Sequence, residues 1–290
     1  MSTTNTRSQA LPGVRVRERS AATASPGAGR RRSRTGLRRA VSPIAVLAVW
    51  QLTHVFHLVS STKLPPPTAV VSEAWTLIKT NSPAYGGTLQ HALLVSLQRM
   101  AIGFAFGAAA ALLLALIAGL SRRGEEGIDP LMQMVRTLPL FGLVPVFIVW
   151  FGIGQLPKIL LIALAAVIPL YLNAFSGIRG VDGRLRELAR SLGLSRWETI
   201  TQIVLPGALP ATLVGLRQSL GVAWLALVVA EQINASSGLG FMINQGEQFN
   251  ENNVIFVALI VYTILGLLTD WIVRIFERRA LAYRGGLEAR

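Results

Sequence analysis

The chain contains no cysteine, only 14 acidic residues in 290, and just three lysines, Lys63, Lys79 and Lys158. Without cysteine there is no disulfide framework, no thiolate metal site and no cysteine nucleophile. None of the lysines follows a glycine, so a G-x-x-x-x-G-K-[ST] loop is missing and the chain has no cradle for the phosphates of ATP. H-E-x-x-H and G-x-S-x-G are missing as well, which removes two common signatures of hydrolytic chemistry. His54 and His57 stand three apart but lack a third ligand, so they read as a packed pair and no metal is expected. Charge of either sign is scarce, at 14% of residues against about a quarter in soluble domains, while 52% are hydrophobic. Composition of this kind belongs to a polytopic membrane protein.

The charge that remains is mostly positive, with a formal net of +14. Ten arginines fall within residues 1–40, a stretch rich in Ser, Thr, Ala, Pro and Gly that is expected to be a disordered cytoplasmic tail. Such an arm can touch RNA or anionic lipid. The favoured reading is a solvated tail that holds the N-terminus inside, with membrane lipid as its neighbour and no nucleic acid expected. Residues 41–285 then form the membrane body, and 286–290 a short C-terminal tail.

A bilayer crossing needs about 20 apolar residues. Six runs qualify, at 41–59, 92–119, 131–150, 157–176, 210–231 and 254–274, so the expected fold is an all-α bundle of about six transmembrane helices. Lys and Arg number 22 in the two tails and alternate connections (120–130 and 177–208), against three in the other connections. Positive charge in short loops stays cytoplasmic, which puts both termini and the 177–208 loop inside. Outside, Leu64-Pro65-Pro66-Pro67 leads into a one-sided apolar pattern over 70–78 that reads as an interfacial helix.

Several features within the spans bear on packing or passage. Gly103, Gly107, Ala111, Ala115 and Gly119 recur every four residues, a ridge along which another helix, of this chain or a second copy, can approach closely. Pro139, Pro145 and Pro169 each remove a backbone donor, and lipid cannot satisfy the carbonyl so freed. Broken helices of this kind line transport routes in some membrane proteins and are mere kinks in others. Pro139 and Pro145, with Asn173, Glu231, Arg99 and Arg217, are the candidate pathway or gating residues. Arg136 joins the arginines at span edges, where charge is costly and faces protein or water. A structural role for these arginines is the simpler reading.

The 177–208 loop carries the strongest signal. Asp182 can cap a helix with Leu185, Leu188, Ala189 and Leu192 along one stripe, and Gly193 suits a left-handed position after it. Ser195-Arg196-Trp197-Glu198 is a capping box opening a second helix, which Pro206 is expected to stop. Two short amphipathic helices in a basic loop make a docking surface, with Glu187 available for a charge pair. Glu187, Ala189, Gly193, Ile203, Leu205 and Pro206 match the pattern E-A-A-x3-G-x9-I-x-L-P at every position but one, where Leu188 replaces an alanine. In this the chain resembles the permeases of ATP-binding-cassette (ABC) importers, and residues 41–285 are similar throughout. Ser96-Leu97-Gln98-Arg99, Trp150-Phe151-Gly152 and Ser237-Gly238-Leu239-Gly240 resemble the nitrate/sulfonate/taurine group, and most closely its aliphatic sulfonate permeases.

The resemblance implies a pore-forming subunit of the cytoplasmic membrane, usually paired with a second permease. Two ATPase subunits would use the ATP, so no cofactor is expected in this chain, and an external solute-binding protein would deliver the solute. Glu187, Leu188, Ala189, Gly193, Ile203, Leu205 and Pro206 would form the ATPase-coupling loop. Two other classes stay open at this point. An ion-coupled carrier would need intramembrane acids, for which Glu231 and Asp270 are the candidates, and a membrane scaffold would work through the basic tail. The charge bias generates a direct test of orientation. Cysteines introduced at Ser82 and Ser236 should react with an impermeant thiol reagent in intact cells, and one at Ser191 should not. The reverse pattern would refute it.

Overall fold

The computed structural model describes residues 31–60, 63–233 and 235–281, within two compact units spanning residues 1–50 and 51–290. Among the described residues there are eleven α-helices and no strand. The first, α1, spans Arg31–Val55, and only Ile44–Val55 of it is apolar. Two expectations change here. Residues 31–40 are helical rather than disordered, because arginine is a good helix former and the apolar turns beyond extend the same helix. The first apolar run ends at Val55 instead of 59, since His57 adopts a positive φ of 51° that no helix tolerates. The rest of the expected basic tail, residues 1–30, and the C-terminal tail 286–290 lie outside the described residues.

In the second unit, α2 (Pro67–Lys79) begins with proline in its first turn, where a missing N–H costs nothing. It buries Val70 and Leu77 and leaves Val71 and Trp75 exposed, as a one-sided interfacial helix should. The Glu73 carboxyl on this helix is held above its usual range, first by burial and then by the like charge of Glu251. Next come α3 (Leu89–Leu120), α4 (Arg122–Thr137), α5 (Val144–Phe151) and α6 (Gln155–Arg179). They are followed by α7 (Gly183–Ser191), α8 (Arg196–Thr199), α9 (Leu205–Gln232), α10 (Leu239–Gln248) and α11 (Asn252–Ala280).

Helices α3, α6 and α11 are each long and apolar enough to cross a membrane, as is the continuous Arg196–Gln232. The run at 131–150 is not one straight span. It belongs to α4 and the segment Leu140–Phe151, which meet at 89°. Pro139 sits at the corner in extended backbone, and Pro145 lies in the first turn of α5, where proline starts a helix rather than breaking one. Hydrogen bonds fix what this bent pair does. Arg99, early in α3, donates to Gln155 at the start of α6 (2.6 Å), so both starts lie at one end of the bundle. At the other end Arg179, closing α6, reaches the Ala118 carbonyl near the end of α3. The connection between α3 and α6 therefore traverses the bundle as a broken crossing.

The small-residue ridge is buried within the chain. A Cβ on Gly103 would lie 2.8 Å from the Ile162 side chain, and one on Gly107 only 2.4 Å from the Ala163 carbonyl. Helix α6 therefore rests backbone to backbone on α3, and its opposite side lies equally close to α9, where Gly215 abuts Asn173 and Leu170. Large side chains point outward instead, among them Phe106, Leu113, Leu267 and Trp271, onto faces that suit lipid.

At the end of the bundle where α3 and α6 begin, one buried polar network ties five segments together. The Glu231 carboxylate, fully buried on α9, pairs with Arg99 Nη1 at 2.7 Å. It also accepts from Ser96 Oγ (2.7 Å), the Tyr262 hydroxyl of α11 (2.9 Å) and the Gly240 amide of α10 (3.0 Å). Arg99 Nη1 donates in addition to the Ser237 carbonyl at 2.7 Å, and Ser96 Oγ accepts from the Leu239 amide at 2.9 Å. Gly238 is obligatory beside it. Its φ is +118°, and a Cβ there would lie 2.6 Å from Glu231 Oε1. Removing one member of a buried pair strands the other, at a cost of about 3–5 kcal/mol. Glu231→Ala should therefore sharply lower the yield of monodisperse permease and its unfolding temperature. The double variant Arg99→Met/Glu231→Gln should recover part of the loss, and simple additivity of the two single changes would deny the coupling.

Candidate functional site

The opposite end of the bundle, where α6 finishes, carries a helical hairpin whose every turn is locally specified. Asp182 accepts from the Arg184 amide (2.9 Å) and starts α7. The helix ends in a Schellman turn, with Gly193 at φ +72°, its amide on the Arg190 carbonyl (3.0 Å) and the Leu194 amide on the Ala189 carbonyl (3.0 Å). Ser195 and Glu198 then close a reciprocal capping box, at 3.2 and 2.8 Å. Pro206 does not end the second helix. Residues 200–204 form a π turn, and the helix continues through Pro206 into α9. A π turn widens the ladder by one residue, which leaves room for a ring lacking an N–H.

Burial divides the expected stripe. Ala189 is fully buried against its own chain, whereas Leu185, Leu188 and Leu192 are 46%, 54% and 68% exposed and Trp197 72%. Glu187 is exposed on the same hairpin. Gly193 has nothing within 4 Å of where a Cβ would be, so its surroundings inside the chain are empty. Ile203 and Pro206 are half-buried and Leu205 is 40% exposed. An apolar surface held rigidly and left bare has the character of a contact awaiting a partner.

A second feature lies along the crossing helices. A cleft of about 580 Å³ runs between the α4 corner, α6 and α9, and its polar lining is Arg136, Asn173, Ser176 and Gln218. Asn173 Nδ2 donates to the Pro169 carbonyl (2.8 Å) and to Gln218 Oε1 (3.0 Å). Both Asn173 donors are thereby spent, on the Pro169 carbonyl and on fixing Gln218, and the cleft presents Arg136, the Gln218 Nε2 group and the Ser176 hydroxyl, a donor set suited to an anion. Gln218 and Ser176 carry a signal that composition hides, since single amides and hydroxyls are easily overlooked in apolar runs.

The structure separates the remaining candidates. Asn173 lines the cleft, Pro139 and Pro145 shape the corner beside it, and Arg99 and Glu231 belong to the buried polar network. Arg217 turns from the cleft to α11, where it pairs with Glu277 and lies 3.4 Å from Asp270. Asp270 also holds Arg274 at 2.6 Å. Both acids considered for ion coupling are thereby committed to arginines.

Known proteins share this arrangement. A family model described as the inner membrane component of binding-protein-dependent transport systems matches residues 91–281. The chain is 44% identical over 246 residues to the putative aliphatic sulfonates transport permease protein SsuC of Bacillus subtilis (strain 168), covering 85% of this chain and 87% of that one. It is 43% identical over 236 residues to the protein of the same description from Escherichia coli (strain K12), covering 81% and 88%. Among solved structures, a crystal structure of an amino acid ABC transporter with histidines superposes with a TM-score of 0.54 at 18% identity, over 64% of this chain and 91% of that chain. The family match and the two close identities establish that the chain belongs to the binding-protein-dependent transport family, as a multi-pass inner-membrane permease subunit of a bacterial ABC importer.

Proposed function

We propose that this permease carries a small oxyanion, an aliphatic sulfonate, into the cell, and that it is driven through the α7–α8 hairpin. The observation that carries the reading is the bare apolar face of Leu185, Leu188, Leu192 and Trp197 on an element rigid enough to transmit force. Two copies of the chain would enclose the pathway between their clefts, because Arg136 and Gln218 are exposed along crossing helices and lipid is a poor solvent for both. Each copy would seat its hairpin on one of two ATPase subunits, and an external binding protein would present the solute. The permease itself would bind no ATP and hold no cofactor. Both termini and the hairpin would be cytoplasmic, consistent with the arginines at that end. Arg136 with the Gln218 amide and the Ser176 hydroxyl would ease the anion through, and the names of the two SsuC relatives support a sulfonate as that anion.

In this arrangement Glu187 pairs with a cation on the ATPase. Buried Ala189 lets α7 lie close to the bundle, and Gly193 makes the reversal. Any Cβ in a left-handed backbone costs about 1–2 kcal/mol. Gly193→Ala should accordingly weaken co-purification of the permease with a tagged ATPase only modestly. Gly193→Trp should nearly abolish it, since the empty space around Gly193 is where the partner would sit. Glu187→Ala should lose a charge-assisted hydrogen bond worth about 1.5–3 kcal/mol, roughly ten- to hundredfold in association. All three should reach the membrane in normal amount. Unchanged assembly and uptake in both Gly193→Trp and Glu187→Ala would remove the hairpin from the coupling role.

The solute is tested separately. A deletion strain should fail to grow with an alkanesulfonate as sole sulfur source and recover with the gene restored. Unimpaired growth, with no duplicate system present, would turn the assignment to taurine, nitrate or another small solute.

A further inference from the structure

Behind the hairpin, against the inner ends of α3 and α6, lies a second cavity, of about 520 Å³. Four arginines line it: Arg179, Arg186, Arg190 and Arg196. Like charges gathered around one space repel each other, and a fold that keeps them there without an anion gives up stability. Their protein partners do not balance them. Arg179 pairs with Glu125, and Arg186 Nη2 donates to the Ile178 carbonyl (2.8 Å), yet the Nε–H of each is buried without an acceptor. The Arg190 and Arg196 guanidinium groups have no ion pair or hydrogen bond among the described residues. The neighbouring carboxylates Asp182 and Glu198 are occupied as helix caps and do not line the cavity.

The shape narrows the ligand. A volume of this size is typical of small-molecule sites. Guanidinium forks match the oxygens of sulfonate and phosphate groups. Apart from Thr199 the rest of the wall is apolar, including Leu120, Leu194, Ile200 and Val204, so an anion with a hydrocarbon tail suits it better than a bare ion. We propose that this cavity is a binding site for a tetrahedral oxyanion bearing an apolar tail, and that occupancy braces the hairpin from behind. Two sources supply that chemistry at a cytoplasmic membrane face: the imported sulfonate after release, or the phosphate of an anionic lipid. The site rests on the transport reading only for the side of the membrane it faces. Arg186 and Arg190 lie one turn apart on α7, away from the stripe of exposed leucines, so an ATPase seated on that stripe leaves them facing the cavity.

The test uses the permease–ATPase complex in nanodiscs of neutral phosphatidylcholine, with thermal unfolding as the readout. Hexanesulfonate is titrated into one set, and phosphatidylglycerol is blended into the lipid of another. Wild type and Arg184→Gln, which removes a charge from the same helix outside the cavity, should be stabilised by several degrees. In Arg186→Gln/Arg190→Gln the shift should fall by at least three quarters, or the midpoint of the titration should rise tenfold or more. The single variant Arg190→Gln serves if the double variant does not assemble, because Arg190 is exposed and holds no internal contact. Arg190→Lys should retain most of the response. A response to hexanesulfonate alone identifies the solute as the occupant, and one to phosphatidylglycerol alone identifies lipid. Equal responses in wild type, Arg184→Gln and the cavity variants, or no response in any, would overturn the site. Uptake of alkanesulfonate is measured independently, so a transporter for another solute would show itself there and leave the comparison of variants intact.

Discussion

The architecture depends on one ion pair that the surrounding helices almost completely bury. Glu231 is fully buried and Arg99 is 3% exposed, so neither charge has solvent to lean on. Both are therefore surrounded by donors and acceptors drawn from five segments, and each of those segments is held in place as a consequence. Helices α3, α9 and α11 converge there because Ser96, Glu231 and Tyr262 must meet, and α10 is folded back because its Gly240 amide completes the carboxylate's shell. Such a network is weak evidence for net stability but strong evidence for a single arrangement, since any shifted register would strand a charge.

The hairpin end obeys the opposite logic. There the polar groups are satisfied locally, by an Asx cap, a Schellman turn and a capping box, and each of these needs only residues within a few positions. The hairpin is stiff in itself and makes few demands on the bundle. Its apolar side chains are consequently free to face outward, which a loop relying on its own bundle for stability could not do. One end of the molecule is fixed by long-range contacts, the other by short-range ones, and the two meet through helices packed on glycine and alanine.

That division also explains what was legible in the sequence. Asp182, Gly193, Ser195 and Glu198 act over one to five residues, so their roles could be read directly, as could the existence of the long apolar helices. The spacing of Gly103, Gly107 and Gly119 announced close approach, though only the structure names α6 as the neighbour. Glu231 was visible as a buried acid near a span end, but Ser96, Gln155 and Tyr262 lie 31 to 135 residues away from it or its partner, and no local pattern encodes that meeting. Two local rules misled. Pro206 reads as a helix stop, and the π turn before it absorbs the conflict. The run at 131–150 reads as one span, because hydropathy is blind to the corner that Pro139 makes.

The π turn has a mechanical consequence. Arg196–Gln232 is one uninterrupted rod of 37 residues, about 55 Å long at 1.5 Å per residue, with Trp197 at one end and Glu231 at the other. A rod of that length pivoting by about 5° displaces its far end by about 5 Å, roughly one helical turn. The π turn at Ile200–Val204 lies close to the hairpin tip, so the rod joins the hairpin to the bundle without a break. The hydrogen bonds around Glu231 hold one end of that rod, so a rotation about that end carries the Trp197 end furthest.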